Sequence, residues 1–190
     1  MKTIKYKALL LAVLVGFTTF SMADSAKELD HDANMAINKF IDEVKGGDAF
    51  LVKAKAFLVF KDIKEAGFFV GGKYAEGVLR KGRTTLGYYE MTSASVGLQM
   101  GAQKYSMIIA FTSDAALDKF LMEEDDWATD MNMDSKIVVA DWNSKEELAA
   151  DNYKDSMVAF VFDSEGFMGS ITMEGTKFKK IKKSASLDKK

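Results

Sequence analysis

Leu29, Ala33, Ile37, Phe40, Ile41 and Val44 recur at helical spacing until Gly46-Gly47 interrupts the run. Ser25 and Glu28 form an S-x-x-E capping box ahead of them, so the pattern predicts one amphipathic helix over residues 26–45. Asp48 is placed to cap a second, shorter helix through Lys55. Ala56 to Phe60 (AFLVF) is short and rich in strand-forming residues, which predicts a buried strand. Asp62 to Ala66 then reads as a turn or a single helical turn.

From Glu65 to Gln103 the pattern changes. This stretch holds eight of the fourteen glycines among aromatic and β-branched residues. Glycine weakens a strand unless a bend, a bulge or a close backbone approach needs it, so their density predicts strands that bend. Strands are expected near 68–73, 75–80, 84–90, 93–102 and 105–112. Arg80-Lys81-Gly82-Arg83 is expected to be a tight hairpin turn whose glycine supplies a positive φ. The clearest alternation runs from Ser93 to Gln103, where Ala94, Val96, Leu98, Met100 and Ala102 make one apolar face, and Gly97 and Gly101 lie on the small face. Ser113 or Asp114 caps a further helix carrying Ala116, Leu117, Phe120 and Leu121, and Lys136 to Ala140 reads as one more strand. Ser156–Phe162 and Phe167–Met173 are expected to form a hairpin around Asp163-Ser164-Glu165-Gly166. The fold class is therefore α+β, with N-terminal amphipathic helices followed by a mostly antiparallel sheet whose closure into a barrel periodicity leaves open.

The segments KAKAFLVF, KEAGFFVGGKYAEGVLR and SASVGLQMGAQ, in this order and spacing, resemble the SYLF domain. The resemblance runs from about Ala26 to Ile181 and is closest to the bacterial, secreted version. It implies lipid binding. The actin binding that it also implies comes from the eukaryotic members and makes little sense for an exported bacterial chain. One departure concerns the local turn: those proteins often carry proline after the FLVF strand, whereas this chain has Lys61-Asp62 and no proline at all.

Met1 to Ala23 has three lysines, an apolar run from Ala8 to Val15 and Ser21-Met22-Ala23 before Asp24, which predicts a secretory signal peptide cleaved after Ala23. The run falls short of the roughly 20 residues that a membrane span needs. Cleavage would leave 167 residues, one domain over 24–181 with a basic tail over 182–190, and a net charge of −5. With no cysteine anywhere, the core has to hold by packing alone, even in an oxidising compartment.

Charge is uneven. Residues 53–83 carry eight basic against three acidic side chains, residues 114–155 thirteen acidic against four basic, and residues 177–190 seven lysines with one aspartate. The two basic stretches are where an anionic partner would be sought.

Catalytic and cofactor patterns do not survive inspection. Gly67 to Lys73 (GFFVGGK) matches half of a phosphate-binding loop, but Tyr74 and a strand-like AEGVL follow where Ser or Thr and a helix are required. Asp130, Asn132, Asp134 and Asp141 take EF-hand positions, yet Ser135 replaces the turn glycine and Asp141 the bidentate Glu, so a solvated acidic loop is expected rather than calcium. His31 is the one histidine and lies off the apolar stripe of its helix, which with the missing cysteines removes Cys-His catalysis and common zinc sites. Ser93 and Ser95 lack a G-x-S-x-G setting. No enzyme activity, cofactor or nucleic-acid partner is expected.

The expectation is a secreted, non-enzymatic, peripheral lipid-binding protein of the bacterial envelope that meets anionic phospholipid at a membrane surface. Lys53, Lys55, Lys61, Lys64, Lys73, Arg80, Lys81 and Arg83 are the residues available for contact. The alternative is a structural or protein-interaction module of the envelope that works through the acidic segment.

Overall fold

The structure, a computed structural model, describes residues 25–122, 127–128, 137–141, 157–166, 173 and 176–183. The expected signal peptide and the loop holding Asp130, Asn132 and Asp134 lie outside them. Helix α1 (Ala26–Glu43) starts on the expected capping box: the Ser25 side chain accepts from the Glu28 backbone N–H, and the Glu28 carboxylate accepts from the Ser25 backbone N–H at 2.8 Å. Helix α2 (Gly47–Lys53) follows at once. Its cap is not Asp48. Gly46 takes the N-cap position at φ 84° with no side-chain bond, and Asp48 sits within the first turn. Gly47 has its own reason, since a Cβ there would stand 2.9 Å from the Phe40 ring.

Two long strands form the centre. β1 (Ala56–Lys81) and β2 (Thr84–Phe111) pair antiparallel along their length, so the separate short strands and the turn expected at 62–66 are really one hairpin. β5 (Met157–Gly166) pairs with residues 103–111 of β2, and β6 (Thr176–Ile181) with residues 88–93. The short β3 (Trp127–Ala128) lies beside β6, and β4 (Ile137–Asp141) runs parallel to β5. The path β3-β6-β2-β5-β4, with β1 on β2, is open among the described residues. Among the described residues the sheet does not close into a barrel. Helix α3 (Asp114–Met122) follows β2, with the Ser113 Oγ accepting from the Ala116 backbone N–H.

Both mistaken turns contain an aspartate in the left-handed region. Asp62 has φ 56° and Asp163 φ 51°, and each stands at a break in register, one between Phe60 and Ile63 and the other opposite the Lys104–Ser106 step. They are β-bulges that flank the same point of β2 from both sides. An extra residue in a strand bends it and increases its twist, and aspartate tolerates the left-handed conformation better than most residues. The turn signal at Asp163 to Gly166 is thus absorbed inside β5, and a positive φ at 62 would exclude proline there.

Bending brings β1 back on itself: a Cβ on Gly77 would lie 2.4 Å from the Val59 carbonyl oxygen and 2.4 Å from the Phe60 ring. The concave side holds Leu58, Phe60, Ile63, Tyr89, Met91, Met107, Phe111 and Phe178, and α3 fills it with Phe120, whose ring lies 5.1 Å from both Tyr89 and Phe111. On the other side α1 and α2 cover Phe57, Val59, Ile108, Val158 and Phe160, where Phe40 stands 5.4 Å from Phe160 and Phe50 5.0 Å from it. Fully burying each such ring stabilises the fold by about 1.5–3 kcal/mol.

Candidate functional site

The hairpin joining β1 and β2 closes through Gly82 and Arg83, with Lys81 paired to Thr84. Gly82 has φ 57°, and Arg83 is not among the residues with positive φ, the pattern of a II′ turn with glycine first. Lys81, Gly82, Arg83 and Thr84 are all exposed.

Arg80 points the other way. Its side chain is only 8% exposed and its Nη2 donates to Asp30 Oδ1 at 2.9 Å, to the Asp30 carbonyl at 3.2 Å and to Asn34 Oδ1 at 3.3 Å, all on α1. Its Nη1 donates to the Arg83 carbonyl at 3.0 Å, tying the turn to the helix. Thr85 Oγ1 and Tyr88 Oη also donate to the Asp30 carboxylate, at 2.7 and 2.9 Å. Burial and this carboxylate together push the Tyr88 hydroxyl's pKa up.

Thr85 and Tyr88 are three residues apart, so strict alternation would put them on opposite faces. A bulge resolves this. Leu79 pairs with Gly87 and Arg80 with Thr85, which leaves Leu86 as the extra residue of β2, 42% exposed.

The basic C-terminal stretch returns to this place. β6 brings Ile181 opposite Tyr88 and Lys180 opposite Tyr89, and a Cβ on Gly87 would lie 3.6 Å from the Lys180 Cε. Lys182 follows directly and is exposed, as are Lys179 and Lys180. Lys81 and Arg83 thus share one end of the sheet with lysines about 100 residues further along the chain.

Residues 92–185, from the middle of β2 through β6, match the family model described as Ysc84: Las17-binding protein actin regulator. This match supports membership of the SYLF-domain family. No curated protein shows significant similarity to it. The SYLF family is associated with lipid and actin binding. The match covers SASVGLQMGAQ and β6, while KAKAFLVF and the first arm of the hairpin precede it.

The other expected contact residues scatter. Lys53 ends α2 and is exposed, and Lys55 pairs with Asp114 at 2.9 Å. Lys61, at the first bulge, is tied to Asp62 at 2.8 Å and Asp32 at 3.5 Å, and hydrogen bonding to Asp62 raises its pKa. Lys64 is exposed on β1. Lys73 is buried, and desolvation depresses its amine despite the opposing charge of Glu65. Tyr105 donates to Glu65 at 3.1 Å, and burial chiefly pushes its phenol well above its ordinary range. Burial removes Lys73 and Arg80 from any surface contact. Sequence reasoning missed the β6 lysines as members of the site. Their signal was the basic count at 177–190; what was missing was the register that brings them to the turn.

One more basic residue is committed inward. Lys183 Nζ meets Glu76 Oε2 at 2.6 Å with both side chains 8% exposed, and Tyr74 Oη donates to the other Glu76 oxygen at 3.0 Å. This pair fixes the chain beyond β6 to the first arm of the hairpin. His31 is exposed on α1, as its place off the apolar stripe implied.

Proposed function

We propose that this SYLF-domain protein is an exported, non-catalytic, peripheral lipid-binding protein of the bacterial envelope that attaches to anionic phospholipid. The observation that carries the reading is the convergence of Lys81 and Arg83 with Lys180 and Lys182 at one end of the sheet. Two basic stretches far apart in sequence thus each contribute exposed cations to one end of the sheet, on a chain that is acidic overall. A basic residue near an anionic membrane contributes about 1 kcal/mol, so such a cluster holds a protein reversibly without a membrane span. The family's association with lipid supports the same reading, and the signal-peptide pattern of residues 1–23 supports export. Purified protein should co-sediment with vesicles containing phosphatidylglycerol, stay in solution with phosphatidylcholine alone, and detach as salt rises, because such attraction is screened over about 10 Å at 0.1 M. Absence of binding to either vesicle, with an envelope protein recovered by cross-linking instead, would replace this reading by the interaction module.

A further inference from the structure

We propose that Leu86 enters the apolar boundary of the membrane when the basic end docks, so that attachment combines charge with insertion of one bulged side chain. The inference rests on the lipid-binding reading and adds the element that penetrates. A lone exposed leucine means little by itself. Leu86 differs in position and in cause. It is the extra residue of a bulge, a device that re-aims a side chain, and it lies three residues from Arg83 in a turn whose four residues 81–84 are exposed. Lys81 and Arg83, exposed in the adjoining turn, place cations within five residues of it, the complement of an anionic headgroup layer.

The bulge also anchors the strand beneath. With the extra residue in place, Thr85 and Tyr88 both reach Asp30, and Arg80 joins them from β1, so the end of the hairpin is held before any membrane is met. Insertion then orders little new structure, which favours affinity. Three residues of strand span roughly 10 Å, and interfacial elements sink by about 5–10 Å. Leu86 and the turn cations can therefore touch the same layer if the hairpin meets the surface obliquely, the long basic side chains reaching up to the headgroups.

The absence of cysteine makes the test direct. Leu86→Cys and, as a control remote in sequence on α2, the exposed Val52→Cys are each labelled with an environment-sensitive fluorophore and mixed with phosphatidylglycerol vesicles. The label at 86 should shift to the blue and be quenched by lipids brominated near the headgroup, while the label at 52 stays aqueous. Unlabelled Leu86→Ser should bind the same vesicles roughly tenfold more weakly, as loss of one buried apolar side chain implies. Co-sedimentation of wild type with an aqueous label at 86 and unchanged affinity of Leu86→Ser would overturn the insertion and leave the electrostatic reading standing. No co-sedimentation of wild type would overturn both.

Discussion

Arg80 and Arg83 stand three residues apart in the same hairpin, and the structure uses them in opposite ways. Arg80 is turned onto α1, where Asp30 and Asn34 take up its guanidinium. Arg83 is exposed and gives its backbone carbonyl to Arg80. The same division runs through the basic residues of the molecule. Lys73, Lys183 and Arg80 are buried or paired inward, Lys61 is shared between two aspartates, and Lys81, Lys180 and Lys182 face outward with Arg83. A count of charges along a segment therefore overstates the charge that a partner can meet. What the sequence does not carry is which of these side chains the fold turns inward: Arg80 meets Asp30 and Lys183 meets Glu76, each far away along the chain.

The inward group depends on the folded-back hairpin. Gly77→Ala should have the largest effect, because its Cβ would meet the Val59 carbonyl, a backbone group that cannot turn aside. Overpacking of this kind costs about 3 kcal/mol, which urea unfolding would register as a lowered midpoint. Unchanged stability would mean that β1 does not bend back on itself as described.

Arg80→Gln should cost about 2 kcal/mol. Breaking a buried pair costs more in general, but Asp30 is partly exposed and water can take up part of its loss. Asp30→Ala, which leaves the guanidinium buried without its carboxylate, should lower the melting temperature similarly. In contrast Arg83→Gln should change stability by less than about 0.5 kcal/mol, as surface substitutions do. If Arg83→Gln destabilised as much as Arg80→Gln, the division between the two would fail.

A smaller effect concerns pH. Burial opposes ionisation of Asp62, yet hydrogen bonds and charge from Lys61 and Lys104 outweigh it and hold the carboxyl below its usual range. A carboxylate depressed in the folded state adds stability above its unfolded value near 4 and loses it as pH falls through the folded value. Asp62→Asn keeps a residue that tolerates a positive φ, so its melting temperature should fall less than that of wild type between about pH 4 and pH 2. The difference should stay under about 1 kcal/mol because the pairs are partly solvated. Parallel curves would show that the bulge charges do not couple to folding.

These outcomes also mark what was legible in the residues. The capping box at Ser25 and Glu28, the hairpin glycine at 82 and the helix after Ser113 were plain, because each depends on neighbours within a few positions. Asp62 and Asp163 misled, because an aspartate with a positive φ serves a turn and a bulge equally, and only the partner strand decides between them. β6 went unnamed as a strand even though Thr176 and Phe178 alternate with Lys177 and Lys179, since the lysines dominated the composition. The fate of Arg80 was not legible at all. Its partner lies 50 residues away on a helix whose position over the hairpin follows from packing.

One comparison of vesicle affinities tests the basic end of the sheet most directly. Wild type and a Lys81→Gln, Arg83→Gln, Lys182→Gln variant would be titrated with phosphatidylglycerol vesicles at low salt, after their melting temperatures are shown to agree. Three surface cations at about 1 kcal/mol each predict a loss of roughly 10² in affinity. Equal affinity of the two proteins would contradict the claim that this end of the sheet is the surface that meets the membrane.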